Sequence, residues 1–217
     1  MRRSLLVLGV LVALLAPAAG ASAQDPIVFV HGWASSASVW NVMIDRFEDA
    51  GYSSDRLHAF SYNIGQSNAE TAREVVDEVN QVKAATGAAK VDIVSHSMGG
   101  LSSRYYLRNL GGAASVDDWV SIGGPNHGTL TAFACAPVQV SCQQMLPGSS
   151  FLRELNSGDE TPGSTNYGTF WSPCDEIIIP STSTILDGAT NVRTRCIGHL
   201  SLLVAPSVFE RVRDFVQ

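Results

Sequence analysis

One ten-residue run limits the folds open to this chain: Val91-Asp92-Ile93-Val94-Ser95-His96-Ser97-Met98-Gly99-Gly100. A strand-like stretch leads into a serine that has small residues two positions before and two after it, and a helix-compatible stretch follows. This is the G-x-S-x-G pattern of a nucleophile elbow, with Ser95 in place of the first glycine. Such a turn holds its central serine in a strained conformation at a strand end, where bulky neighbours would clash. Ser95 and Gly99 avoid that clash. The helix beginning at Met98 aims its first N–H groups at any oxyanion formed beside the hydroxyl. A plain strand-to-helix turn with an exposed serine is the competing reading, and the order strand, serine, helix favours the chemical one.

The first residues read as an export signal. Arg2 and Arg3 give a charged start, Leu5 to Leu15 is almost wholly apolar, and Ala21-Ser22-Ala23 is a small-x-small cleavage site. The apolar run is too short to span a bilayer comfortably. A signal peptide over 1–23 and a mature chain from Gln24 are expected, which leaves 194 of the 217 residues for one domain over 24–217. Without Arg2 and Arg3, 12 Lys and Arg face 20 Asp and Glu, a net charge of about −8. That balance argues against a nucleic-acid partner and fits a secreted, extracellular protein. Four cysteines in an exported chain imply two disulfides, with three possible pairings. Cys135–Cys142, a short local loop, together with Cys174–Cys196 is the preferred set. No C-x-x-C or Cys/His spacing suggests a metal instead.

Strand and helix patterns alternate along the rest. Pro26 to Val30 is a short apolar run ending at His31-Gly32. Val39, Trp40, Met43, Ile44 and Phe47 recur at helical spacing, closed by Gly51. Arg56 to Tyr62 reads as a strand. Ser67-Asn68-Ala69-Glu70 is a capping box leading into a helix with Ala72, Val75, Val76, Val79 and Val82 on one face. Lys90 to Ser95 and Met98 to Leu110 flank the elbow as strand and helix. Trp119 to Gly123, Asn166 to Trp171 and Val192 to Ile197 complete a set of about six strands, and Pro206 to Val216 is a closing helix. Continuous apolar strands alternating with amphipathic helices predict an α/β fold, a mostly parallel sheet covered on both faces.

A serine hydroxyl needs a base, and histidine titrates near neutrality. His58 lies in a strand-like run and reads as structural. His96 is turned away from Ser97 and is expected to pack beneath the elbow, and His31 to bond nearby backbone. His127 is a weaker candidate for the base. His199 follows the last strand, where the order serine, acid, histidine places the base. Among the acids, Asp117 and Asp118 precede a strand at the opposite edge, Asp159 and Glu160 sit in a polar loop, and Asp187-Gly188 is turn chemistry. Asp175 follows the strand ending at Trp171 and is the best partner for His199, with Glu176 as fallback. A Cys174–Cys196 bridge would then staple the acid and base loops together. Oxyanion donors are expected from the backbone N–H of Met98 and of Trp33, where Gly32 lets the chain turn back. The Trp33 indole either lines the acyl side of a pocket or packs in the core.

The combination His31-Gly32, His96-Ser97-Met98-Gly99-Gly100, Leu186-Asp187-Gly188-Ala189 with Asn191-Val192, and Gly198-His199 resembles the small secreted lipases of bacilli and their actinobacterial relatives. The resemblance runs in order over nearly the whole mature chain. It implies an α/β-hydrolase that cleaves carboxylic esters, triacylglycerols or shorter acyl esters, with no cofactor. Ser97, Asp175 and His199 would fall on nucleophile, acid and base, and Trp33 and Met98 on the oxyanion donors. A monomer in transient contact with a lipid–water interface is expected. Two departures stand out: the smallest members lack both cysteine pairs, and the stretch from Gly124 to Ser164 is longer here. Its Cys135–Cys142 loop, and Phe151, Leu152 and Leu155 within Ser149 to Asn156, are expected to border the cleft. Polyester hydrolysis of the cutinase type and an inactive secreted binding protein are the alternatives.

Overall fold

A computed structural model of the protein describes residues 24–217; the expected signal segment lies outside them. Six strands form one sheet: β1 (Ile27–Val30), β2 (Leu57–Ala59), β3 (Val91–His96), β4 (Val116–Ile122), β5 (Asn166–Trp171) and β6 (Thr190–Arg193). Their order is β2-β1-β3-β4-β5-β6, and every neighbouring pair is parallel. Parallel strands need crossovers and are covered on both faces, so the central strands must be apolar toward both sides. β1 and β3 are buried throughout.

The alternation of side chains along each strand sorts the core into two layers. Val28 and Val30 join Ile93, Leu101, Leu107 and Trp119 under α2 (Asn68–Thr86) and α3 (Gly99–Asn109). Ile27 and Phe29 face the other way and meet Trp40, Met43 and Phe47 of the α1 (Asn41–Asp49) region and Val208, Phe209 and Val212 of the closing helix, which runs Pro206–Phe215. The α2 capping box forms in full, with Glu70 N–H on Ser67 Oγ at 3.1 Å and Ser67 N–H on Glu70 Oε2 at 3.0 Å. Gly87, at φ +70°, ends that helix in the left-handed conformation that disfavours other residues.

Four boundaries differ from the sequence reading. β2 keeps only three residues of the expected Arg56–Tyr62 strand, because it is an edge that pairs with β1 alone and then leaves the sheet. Its continuation is held by side chains, Ser61 Oγ taking the Ala37 N–H and the Tyr62 hydroxyl donating to the His31 carbonyl. β6 ends at Arg193 and not Ile197: the Thr194 N–H on the Trp171 carbonyl at 2.8 Å is the last rung of its ladder with β5, and the Ser172 hydroxyl then takes the Ile197 N–H. The first helix is preceded by a tight 3-10 turn over Ala37–Trp40. β4 starts at Val116, so Asp117 and Asp118 lie within the strand instead of before it.

That last difference has a physical origin in a β-bulge. Val91 pairs with Val116 and Ile93 with Trp119, so β4 carries one extra residue there. The extra residue leaves the Asp118 N–H without a ladder partner, and the buried Asp92 carboxyl supplies one at 3.1 Å. Burial, and then the nearby Asp118 charge, push the Asp92 pKa up to about 8. A carboxyl whose folded pKa is raised binds its proton more tightly in the native state. Its stabilising contribution is complete below the unfolded carboxylate value and is lost as pH rises through about 8. Asp92→Asn keeps the acceptor for Asp118 and removes the titration. The melting temperature of this variant relative to wild type should therefore rise steadily from pH 4.5 to 8.5. A difference that stays flat over that range would refute the assignment.

Candidate active site

The carboxyl ends of the strands gather the predicted residues at one edge of the sheet, as a doubly covered parallel sheet requires. Ser97 directly follows β3, His31 and Trp33 follow β1, Asp175 follows β5, and His199 follows β6. Ser97 takes φ +54°, one of two non-glycine residues with positive φ among those described. It is pinned there by its N–H on the Ile122 carbonyl at 3.0 Å. A Cβ on Gly99 would lie 2.3 Å from the Val30 carbonyl oxygen and 2.5 Å from that of His31, so only glycine lets α3 begin this close to β1. A Cβ on Gly32 would lie 2.7 Å from Ser97 Cβ. Ser95, which replaces the usual glycine, is accommodated because its buried hydroxyl donates to the Val120 carbonyl at 2.6 Å.

Asp175 and His199 are both buried, with Nδ1 of the imidazole 2.8 Å from Oδ2 of the carboxyl. The other carboxyl oxygen accepts the N–H groups of Ile177 at 3.0 Å and Ile178 at 2.8 Å. Gly123, at φ +55°, passes directly alongside; a Cβ there would sit 3.1 Å from Asp175 Oδ2 and 3.2 Å from His199 Nδ1. Glu176, the fallback acid, does point elsewhere: its Oε2 accepts the His199 backbone N–H at 3.0 Å.

The loops carrying these two residues are tied twice. The structure joins Cys174 to Cys196, and Cys135 to Cys142. Ser172, which the sequence reading passed over, adds a second tie. Its hydroxyl accepts N–H groups from Cys174 at 3.1 Å and Ile197 at 2.9 Å and donates to the Arg195 carbonyl at 3.2 Å. Nothing in a lone serine after an apolar strand signals that role. Asn191 does similar work at the next turn. It bonds Thr169 and both the N–H and carbonyl of Leu186, which closes the Leu186–Ala189 turn against β5.

The other histidines separate clearly. His96 is buried, but instead of packing apart beneath the turn it lines the cleft with Ser97 and His199. Its ring lies 4.5 Å from that of His199, and its Nε2 donates to the His199 carbonyl at 3.2 Å. Burial, with His199 beside it, holds its pKa well below the usual value, so it stays neutral and keeps a single donor for that carbonyl. His31 stacks on Tyr62 at 4.0 Å and bonds the Gly32 carbonyl through Nδ1 at 2.8 Å, which fixes the start of the Trp33 turn. His58 bonds the Asp55 carbonyl. His127 pairs with Glu160 at 2.8 Å in a separate polar recess of about 570 Å³ that also contains Asp187. That recess holds neither Ser97 nor His199, so volume alone would mislead.

Ser97, His96 and His199 form the floor of a mainly apolar cleft of about 470 Å³. Trp33, Ala34 and Val39 line one wall, Ala132, Cys135 and Met145 a second, and Ile177, Ile178 and Leu200 a third. Ala34 is the other positive-φ residue, at +53°. The Trp33 indole borders the cleft and donates to Gln139 Oε1, so it is not core packing. Among the described residues, neither the Trp33 nor the Met98 backbone N–H is committed to a protein acceptor. The segment from Gly124 to Ser164 folds into a 3-10 turn (Leu130–Ala134), α4 (Val140–Met145) and α5 (Ser150–Leu155). The first two border the cleft. Phe151, Leu152 and Leu155 do not, contrary to expectation: they are buried against α3, with Phe151 stacked on Tyr105 at 5.6 Å. Residues 129–150 contain no Asp, Glu, Lys or Arg, and Phe133 and Val138 there are 62% and 81% exposed.

Residues 24–195 match the family model described as Lipase (class 2). A triacylglycerol lipase of Pseudarthrobacter phenanthrenivorans is 34% identical over 96 residues, which are 39% of this chain and 28% of that one. A triacylglycerol lipase of Burkholderia plantarii is 34% identical over 96 residues, 25% of its length. The matched stretch thus spans about a quarter of these relatives. Among solved structures, the mature form of Bacillus licheniformis lipase BlEst2 superposes with a TM-score of 0.79 at 19% identity, over 91% of this chain and 94% of that one. Aspergillus fumigatus lipase B gives 0.76 at 20% identity, over 86% of this chain and 51% of that one. At these identities the likeness is one of fold, the α/β-hydrolase sheet with its helices. With the family model covering most of its length, the chain belongs to the class 2 lipases.

Proposed function

We propose that this protein is a secreted serine hydrolase of carboxylic esters of lipids, triacylglycerols or shorter acyl esters, working through an acyl-enzyme. The observation that carries the reading is the buried Asp175–His199 pair on the floor of the same apolar cleft as a positive-φ Ser97. Ser97 Oγ attacks the ester carbonyl while His199 Nε2 takes its proton. Asp175 accepts the Nδ1 hydrogen, which fixes the tautomer and stabilises the cation that forms. The uncommitted N–H groups of Trp33 and Met98 receive the oxyanion. His199 then returns the proton to the leaving alcohol, and water repeats the sequence on the acyl-enzyme. The acyl chain occupies the cleft between the Trp33 and Met145 walls.

Export is supported by the signal-like start and by two disulfides, the product of an oxidising compartment. No helix of the described residues is long and apolar enough to cross a membrane. The exposed apolar rim supports contact with a lipid–water interface.

Ser97→Ala should abolish hydrolysis of a 4-nitrophenyl ester and labelling by a phosphonate ester. Labelling that survives in this variant would exclude Ser97 as nucleophile. Asp175→Asn should keep the fold and lower kcat by roughly 10⁴-fold, the effect of losing the orienting carboxylate. Replacing both Cys174 and Cys196 by serine opens a bridge with a sequence separation of 22. Denaturant unfolding should show a loss of about 3 kcal/mol. The Ser172 bonds should leave a folded but slower enzyme; an unchanged kcat would mean that the bridge does not position His199.

A further inference from the structure

The hydrogen bond between the Trp33 indole and Gln139 joins two walls of the cleft that come from distant parts of the chain. Trp33 belongs to the turn after β1 that carries a proposed oxyanion donor. Gln139 sits inside the Cys135–Cys142 loop and precedes the first turn of α4. Its own position is firmly held. The Gln139 N–H donates to the Cys135 carbonyl at 3.1 Å, its carbonyl accepts from Gln143 at 3.1 Å, and its Oε1 lies 3.6 Å from Cys142 Sγ.

The α4 wall behind it is anchored too. Ser141 Oγ donates to the Ile64 carbonyl at 2.7 Å, and Gln144 Oε1 accepts both the backbone and side-chain N–H of Asn68, at 2.7 and 2.9 Å. Thr129 N–H bonds the Met145 carbonyl at 2.9 Å at the other end. A segment fixed at α2, at Met145 and by its own disulfide is a wall and not a hinged cover. With that wall fixed, the bond from Gln139 is what holds the Trp33 indole in place across the cleft.

We infer that Gln139 is a specificity-determining residue: its bond to Trp33 acts as a crossbar that fixes the width of the acyl cleft and excludes acyl groups branched next to the carbonyl. The inference rests on the proposed ester hydrolysis at Ser97. It adds that selectivity among acyl groups is set by a residue that does not itself line the cleft. An exposed bond of this kind shifts the equilibrium between a held and a released indole roughly twofold to tenfold.

The test compares kcat/KM for 4-nitrophenyl butyrate and 4-nitrophenyl 2-phenylbutyrate. Gln139→Met, similar in length but without the acceptor, should raise the ratio of branched to straight ester about threefold or more. Gln139→Leu should do the same if Gln139→Met fails to fold. Gln139→Glu keeps an acceptor and should hold the wild-type ratio. Trp33→Phe removes the donor, and in that background Gln139→Met should leave the ratio where Trp33→Phe alone puts it. A ratio unmoved in both apolar variants, a Gln139→Glu ratio as high as theirs, or effects that multiply in the double variant would each overturn the crossbar. Wild-type turnover of the butyrate ester checks the underlying function separately: its absence would overturn both readings, and its presence with an unmoved ratio would overturn this one alone.

Discussion

The close approach of Gly99 to the end of β1 is the contact on which the site depends. The first turn of α3 can sit against the Val30 and His31 carbonyls only because no side chain intervenes. That approach forces the chain to reverse within Ser97 and Met98, which puts Ser97 at positive φ and lifts its hydroxyl above the sheet. It also brings the Gly32–Trp33 turn against Ser97 Cβ. One steric fact therefore places the serine, the helix N-terminus and the first-strand turn together. Stacking of His31 on Tyr62 and the buried Ser95 hydroxyl then hold the neighbouring segments without adding bulk.

The second half of the site is assembled by different means. β5 and β6 lie at the far side of the sheet, and both end in loops without regular structure. Asp175 and His199 are brought into register by covalent and polar ties: the Cys174–Cys196 bridge, the three bonds of Ser172, and the Glu176 carboxylate on the His199 N–H. His96 completes the arrangement from below, a neutral ring supporting the backbone of the neighbouring histidine. The Ser97 side is thus set by exclusion of side chains and the Asp175–His199 side by satisfied hydrogen bonds. The buried Ser172 hydroxyl and Asp175 carboxyl each accept two backbone N–H groups, which is what lets irregular backbone lie so close to the core.

Much of this was legible in the sequence, because its signals are local. Continuous apolar runs, a helix face of valines, a capping box at Ser67 and a closing Gly51 report on neighbours a few residues away. The order of strands placed Ser97, Asp175 and His199 at one edge for the same reason. What escaped were effects that need a partner from elsewhere. The β4 bulge lies where Asp117 and Asp118 join the strand, and a carboxyl on β3 satisfies the N–H it leaves over. β6 stops early because the Ser172 side chain takes the backbone groups of Arg195 and Ile197 beyond it. Phe151, Leu152 and Leu155 had the composition of a cleft border, and only the position of α3 shows them to be core. The Gln139–Trp33 bond joins residues 106 apart, and nothing near either one announces the other.

The charge-free span from 129 to 150 gives the molecule an uneven electrostatic surface. Its excess of carboxylates is carried elsewhere, while the rim that meets solvent beside the cleft has no field of its own. Electrostatic steering, the usual means of accelerating encounter, has nothing to act on there. On the proposed function, approach to an uncharged droplet would be driven by the displacement of water from Phe133, Val138 and Leu200, with little dependence on ionic strength. A surface bearing negative charge meets the acidic remainder of the protein as well, and salt, by screening that repulsion, speeds the encounter. An uncharged rim set in an acidic surface is therefore placed to favour uncharged over anionic partners.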